Sequence, residues 1–114
     1  FWATWCEPCK SIMEFHNEYH QEYFKEGFKV LMINMERKGY LEKVKLFLEK
    51  NDFQFYVATD KNNALFNRFT KKEMPTAILV AKGGEVKWVR NGYITGDEVA
   101  MKNQIEILLE NSVE

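Results

Sequence analysis

The sequence predicts an α/β fold, a mixed central sheet flanked by helices. Apolar runs typical of strands alternate with segments whose large residues recur every three to four positions, the spacing of a helix face. Two late apolar runs are separated only by a glycine-containing turn, which indicates an antiparallel hairpin. At 114 residues the chain has the length of one domain. We therefore expect a single domain over residues 1–114, N-terminally incomplete, with its first strand truncated at Phe1.

The first half of the chain predicts helix, strand, helix, strand and a small helix in that order. Pro8 suits a first helical turn, and Gly27 ends the helix that runs from Pro8 to about Lys25. The apolar run 28–35 is typical of a strand buried on both faces, which implies a parallel sheet. A helix over 40–50, a strand over 55–58 and a small helix over 64–69 follow. The helical spacing is carried by Ile12, Phe15, Tyr19 and Tyr23 in the first helix and by Leu41, Val44 and Leu48 in the second.

The second half of the chain predicts a hairpin and a final helix. Apolar runs at 76–81 and 86–90 flank a turn at 82–85, and this antiparallel pair makes the sheet mixed. Thr95 followed by Glu98 has the form of a capping box that opens the last helix. We expect Val99, Ile105, Leu108 and Leu109 on the inner face of that helix, and Phe15, Phe47, Phe53, Phe55, Phe69 and Trp88 in the core.

Composition and charge favour a globular protein whose partners are proteins or small molecules. Hydrophobic residues make up 46% of the chain and charged residues 29%. The formal net charge of -1 arises from 16 basic and 17 acidic residues without a long block of either sign, so we expect no nucleic-acid partner. No apolar stretch approaches the roughly 20 residues that span a bilayer, so we expect no membrane contact from this chain. Because it begins at Phe1, any signal peptide or anchor would lie upstream.

Both cysteines lie in one motif, Cys6-Glu7-Pro8-Cys9, where an apolar segment meets the start of a helix. Two intervening residues let the sulfurs form a disulfide while Cys6 stays at the helix N-terminus. Backbone N–H groups there favour a thiolate by about 0.3–1 kcal/mol, which predicts Cys6 as nucleophile and the more buried Cys9 as resolving thiol. The spacing alone suits redox chemistry and half of a zinc site, and it leaves both open.

Residues 1–10, FWATWCEPCK, resemble the active-site segment of thioredoxin-like proteins. The Glu-Pro spacer is most similar to the extracytoplasmic TlpA/ResA type of bacterial thiol reductases. Met74-Pro75 stands where that family places its cis-proline, and Gly92 where its late glycine loop lies. The resemblance covers essentially the whole chain. It implies a thioredoxin-like fold, a cis Met74-Pro75 bond, and a substrate-binding rim formed by Trp5, Met74, Pro75 and Gly92.

The resemblance further implies a thiol:disulfide oxidoreductase that reduces protein disulfides through a Cys6–Cys9 cycle. Its partners would be protein disulfide substrates and an upstream thiol reductant. We expect no cofactor, no metal and a monomer, in a periplasmic or extracytoplasmic location. The alternatives are a thioredoxin-fold binding module, or a disulfide isomerase or oxidant.

Two glutamates are candidates for proton transfer or for tuning the thiol pKa. Thioredoxins carry a buried acidic residue immediately before the position of Phe1, which the sequence does not include, and the resemblance makes Glu36 the nearest counterpart of a glutamate near the cysteines. The alternative for Glu36 is a solvated loop carboxylate. Glu7 opposes the helix dipole beside Cys6, so the reduced form should gain little extra stability. The couple should then lie nearer thioredoxin, at about -270 mV, than the oxidant DsbA, at about -120 mV.

The two histidines raise the possibility of a metal site. His16 and His20 are four residues apart on the first helix and form C-x2-C-x6-H-x3-H with the cysteines. A helix rise of about 1.5 Å per residue places His16 on the order of 10 Å from Cys9, beyond the reach of one zinc ion. We therefore expect both histidines on an exposed helix face.

Overall fold

The computed structural model describes residues 1–69 and 73–111. Its elements follow the predicted order of helices and strands, with three short 3-10 turns between them. The helices are α1 (Glu7–Tyr23), α2 (Leu41–Asn51), α3 (Ala64–Phe69) and α4 (Asp97–Asn111), and the strands are β1 (Leu31–Asn34), β2 (Tyr56–Thr59), β3 (Thr76–Val80) and β4 (Val86–Asn91).

The strands form two two-stranded sheets, one parallel and one antiparallel, and the alternation and the hairpin predict these two pairings. β1 pairs in parallel with β2, and β3 pairs with β4. The first residues of the chain lie between these pairs: the Trp2 backbone N–H donates to the Ile33 carbonyl at 3.0 Å, and the Phe1 nitrogen donates to the Thr76 carbonyl at 2.9 Å. Residues 1–3 therefore lie centrally and lead straight into α1.

Helix α1 contributes to two separate apolar clusters, and this placement fixes the cysteines. One cluster contains Trp2, Met13 and both cysteines, together with Met32, Val44 and Phe55. The other contains Ile12, Tyr19 and Tyr23 with Leu79 of β3 and Met101 and Ile105 of α4. Because α1 packs on both sides, its buried surface is wider than the single stripe that its spacing predicts.

Several burial expectations are wrong. Leu31 in β1 is 54% exposed, so this strand is not buried on both faces, and it starts three residues later than the apolar run. Phe69 and Val99, expected in the core, are 52% and 62% exposed. Helix α4 begins at Asp97, so Glu98 is its second residue and not the third that the predicted capping box requires, and its carboxylate accepts the backbone N–H of Gly96 at 2.9 Å.

Within residues 1–69 and 73–111, no helix is long and apolar enough to cross a bilayer. An apolar groove of about 710 Å³ lies between β1 and β3 and is lined from the helix side by α1 and α4.

Candidate active site

The two cysteines occupy the first turn of α1. Cys6 is the N-cap residue, with extended backbone angles, and its Sγ accepts the backbone N–H of Cys9 at 3.3 Å. Pro8 lies within the first turn, where its missing N–H costs no helical hydrogen bond. Cys6 and Cys9 form a disulfide, with their Cα atoms 5.3 Å apart. The sequence prediction of a redox-competent pair at a helix N-terminus therefore has the required geometry.

The exposure of the motif differs from the expectation in degree. Cys9 is fully buried, but Cys6 is itself only 6% exposed in the disulfide form. Both neighbours of Cys6 are exposed: Trp5 is 63% exposed, and the Glu7 side chain is 82% exposed.

Glu36 holds the segment that precedes the cysteines. Its Oε1 accepts the backbone N–H of Thr4 at 2.6 Å, and its Oε2 accepts the Thr4 hydroxyl at 2.7 Å. Asn34 fixes the other side of the carboxylate by donating from Nδ2 to Oε1 at 3.2 Å and accepting the Glu36 N–H at 3.0 Å. The alternative of a solvated loop carboxylate is therefore wrong. Glu36 is half-buried and joins the loop after β1 to the motif.

The Met74-Pro75 bond is cis, which confirms the prediction, and Pro75 is buried. Met74 packs against the cluster that contains both cysteines. The Gly92 N–H donates to the Pro75 carbonyl at 2.7 Å, so the late glycine loop lies directly on the proline loop. The structure thus brings Met74, Pro75 and Gly92 together beside the motif.

Gly92 is a position where a side chain would not fit easily. Its φ of +81° is in the region that L-residues avoid. A Cβ built there would lie 2.8 Å from Oε1 of Glu73, the residue before Met74. A side chain at position 92 would therefore strain the backbone and displace the end of the Glu73 side chain.

The charges next to the disulfide belong to Glu7 and Lys10. The Glu7 side chain is 82% exposed and its Oε1 lies 3.5 Å from the Lys10 ammonium group. Lys10 also lies over the ring of Phe47, 5.5 Å from the centroid. An exposed pair at this distance is strongly screened by water, and the same screening weakens the electrostatic effect of Glu7 on Cys6.

The histidines are buried rather than exposed, so the expectation of an exposed helix face is wrong. His16 is 9% exposed, and its Nε2 lies 3.2 Å from the Met101 sulfur. Burial lowers the pKa of His16 to about 3. His20 is 4% exposed and accepts the Val30 N–H at Nδ1, and burial also lowers its pKa. Both rings are therefore neutral core groups at pH 7.

Two residues at the site, Thr4 and Glu73, are not predicted from the sequence. Thr4 stands immediately before Trp5-Cys6, and its small polar side chain in an apolar segment was the available signal. Glu73 reaches Gly92 only through the fold, and no spacing in the sequence indicates this contact. Among the described residues, no group of three or more His, Cys, Asp or Glu side chains is placed to bind a metal ion.

Comparison with known proteins agrees with this geometry. A family model described as Thioredoxin-like matches residues 1–86, so the chain belongs to the thioredoxin-like family. Thiol-disulfide oxidoreductase ResA of Geobacillus kaustophilus is 34% identical over 100 residues, which cover 87% of this chain and 56% of that protein. ResA of Oceanobacillus iheyensis is 30% identical over 99 residues, 87% of this chain and 50% of that protein. The chain thus spans about half the length of the curated relatives it matches.

Solved structures show the same fold. A putative thiol:disulfide interchange protein DsbE from Chlorobium tepidum superimposes with a TM-score of 0.84 at 30% identity, covering 96% of this chain and 76% of that one. A putative thioredoxin from Neisseria meningitidis gives a TM-score of 0.82 at 24% identity, covering 98% and 73% of the two chains. At that lower identity the likeness concerns the fold alone.

Proposed function

We propose that this protein is a thiol:disulfide oxidoreductase that reduces protein disulfides. The observation that carries the proposal is the Cys6–Cys9 disulfide in the first turn of α1, with Cys6 at the N-cap and Cys9 one turn further in. The similarity to ResA proteins supports the same activity. The family resemblance also supports a location outside the cytoplasm and an upstream thiol reductant.

The reaction proceeds by two thiol–disulfide exchanges. In the reduced protein the Cys6 thiolate attacks one sulfur of the substrate disulfide, forms a mixed disulfide and expels the other substrate sulfur as a thiolate. The Cys9 thiolate then attacks Cys6 Sγ, closes the Cys6–Cys9 disulfide and releases the second substrate thiolate. Each turnover moves two electrons to the substrate, whose two thiolates take up two protons. An external dithiol returns the protein to its reduced form.

The chain's own groups favour the first step at Cys6. The Cys9 N–H is one of the donors at the start of α1 that have no carbonyl partner within the helix. It donates to Cys6 Sγ instead and would stabilise a thiolate there. Cys9 is fully buried, so a substrate cannot reach it before the mixed disulfide has formed. This difference in access supports Cys6 as nucleophile and Cys9 as resolving thiol.

The substrate would bind along the rim formed by Trp5, Met74, Pro75 and Gly92. Trp5 offers an exposed aromatic face, and Met74 precedes the cis bond at the edge of β3. An extended substrate segment could add its backbone beside Met74, the mode of recognition in which a strand joins a sheet edge. Glu36 would act by fixing the loop through Thr4, and Glu7 by its charge beside Cys6.

The test is catalysis of disulfide reduction in insulin by dithiothreitol, followed as turbidity from the released B chain. The wild-type protein should accelerate the reaction, and Cys6→Ala should not. Titration of thiols should find two per chain after reduction and none after oxidation. If the wild-type protein adds nothing to the dithiothreitol rate, the domain is a binding module and the proposal is wrong.

A further inference from the structure

A second groove lies next to the active-site segment, between the start of α1 and one face of α2. Its volume is about 400 Å³. Thr4, two residues before Cys6, forms one wall of the groove. The lining residues are Thr4, Lys10, Lys43, Leu46, Phe47 and Lys50.

The α2 wall of the groove is a single helical stripe. Lys43, Leu46, Phe47 and Lys50 stand at positions i, i+3, i+4 and i+7, so an apolar pair lies between two lysines. Leu46 is 57% exposed, while Phe47 is half-buried below the Lys10 ammonium group. The groove therefore combines an apolar floor with ammonium groups on both sides of it.

The positive charge of this groove is not neutralised from within. Among the described residues that line it, none is acidic. Neither Lys43 nor Lys50 forms an ion pair with any residue that the structure describes. Lys10 forms one with the exposed Glu7, at 3.5 Å. Glu7 pairs with Lys10 and Glu36 binds Thr4, so the positive charge that the groove offers to a ligand is that of Lys43 and Lys50.

We infer that this groove binds an acidic segment of the substrate polypeptide, with Asp or Glu side chains at Lys43 and Lys50 and an apolar side chain on Leu46 and Phe47. The inference rests on the proposed function, since it names the class of disulfide that Cys6 reduces. Thr4 and Cys6 are two residues apart, so their Cα atoms are at most about 7 Å apart, and the groove lies within reach of a few residues of extended substrate bound at Cys6. Acidic residues close to the substrate cysteine would therefore be favoured.

The test uses two disulfide peptides that differ only at three positions beside the cysteine, Glu in one and Gln in the other. The rate of each with the reduced protein is divided by its rate with dithiothreitol, which removes the intrinsic effect of the charges on the disulfide. Two exposed ion pairs support a preference of about fivefold for the Glu peptide at low salt. The preference should fall towards one in 0.5 M NaCl because salt screens exposed charges.

The decisive variant is Lys43→Gln/Lys50→Gln, which should lose the preference and keep the wild-type rate with the Gln peptide. Lys87→Gln/Lys102→Gln changes the net charge equally at a distance from the groove and should keep the preference. Two results would overturn the inference and leave the proposed function intact. One is equal relative rates of the wild-type protein with the Glu and Gln peptides, and the other is an equal loss of the preference in both double variants. The inference would also be overturned if Lys43→Gln/Lys50→Gln changed only the rate at which a reductant reduces the oxidised protein, and not the preference between the peptides. Failure to reduce either peptide would instead contradict the proposed function.

Discussion

Glu36 binds Thr4 through both carboxylate oxygens, one on the backbone N–H at 2.6 Å and one on the hydroxyl at 2.7 Å. Thr4 is 3% exposed, so without Glu36 its N–H would be buried and unpaired. A hydrogen bond to a charged acceptor contributes about 1.5–3 kcal/mol, against about 1 kcal/mol for a neutral one. The position of Trp5 and Cys6 therefore depends on Glu36, which stands 32 positions after Thr4 in the sequence.

Replacing Glu36 should destabilise the oxidised protein. Glu36→Ala should lower the free energy of unfolding by about 2 kcal/mol, and Glu36→Gln by less, because the amide oxygen can still accept the Thr4 N–H. Urea denaturation of the two variants measures the difference. Glu36→Gln should leave the pH midpoint of Cys6 alkylation unchanged if Glu36 is only a positioning residue. A shifted midpoint would give the carboxylate a direct role in proton transfer or thiol tuning.

Much of this arrangement follows from the sequence, but contacts across long separations do not. The motif and the helix and strand order are visible in local patterns, and the cis-proline loop follows from the family resemblance. The burial of His16 and His20 is not, because it depends on α1 packing against two clusters at once. Val99 shares the apolar character of Ile105, yet it stands six residues earlier, about 240° around α4, and it is exposed while Ile105 is buried. Similarly, Glu36 meets Thr4 only because residues 1–3 lie beside β1.

The order of attack can be tested by trapping. Cys9→Ser should accumulate a mixed disulfide with substrate, since the Cys6 adduct then lacks its resolving thiol. Cys6→Ser should accumulate little, because fully buried Cys9 cannot be reached. Non-reducing electrophoresis and intact mass measure the adduct. Accumulation in Cys6→Ser alone would reverse the assignment.

Gly92→Ala should be more damaging than Gly96→Ala, although both glycines have positive φ, +81° and +107°. A left-handed conformation costs each alanine about 1 kcal/mol of stability. Only at position 92 does the new Cβ also meet Glu73, whereas nothing lies within 4 Å at position 96. We expect the insulin reduction rate to fall in Gly92→Ala alone, with partial recovery when Glu73→Ala is added. Equal rates in both single variants would exclude a role for this contact.

Lowering the pH below neutrality should destabilise the protein through His16. Burial lowers its folded-state pKa to about 3 from an ordinary 6.5. Between these two pKa values the unfolded state binds one more proton than the folded state. The contribution of neutral His16 to the free energy of unfolding is therefore fully present above pH 6.5 and is lost progressively as the pH falls towards 3. From pH 7 to 5 the loss should be about 2 kcal/mol. His16→Leu should flatten the dependence of the urea midpoint in this range, and an unchanged slope would show that His16 is accessible to protons in the folded state.

The direction of the reaction depends on Glu7, whose side chain is 82% exposed and lies 3.5 Å from Lys10. A dithiol becomes a strong oxidant when its reduced form is stabilised by a favoured thiolate, and a carboxylate beside Cys6 opposes this. We expect the Cys6–Cys9 couple near the thioredoxin value of about -270 mV. Because the charge is exposed and screened, Glu7→Gln should raise the potential by less than about 30 mV, the equivalent of about 1.4 kcal/mol.

Equilibration of the couple against glutathione and dithiothreitol buffers measures these potentials. Glu7→His should raise the potential further than Glu7→Gln, since a cation next to Cys6 would favour the thiolate. Glu14→Gln, which removes the same charge from an exposed position two turns along α1, should leave the potential unchanged. A wild-type value more positive than about -180 mV would make the protein an oxidant or an isomerase, and the argument from Glu7 would then be wrong.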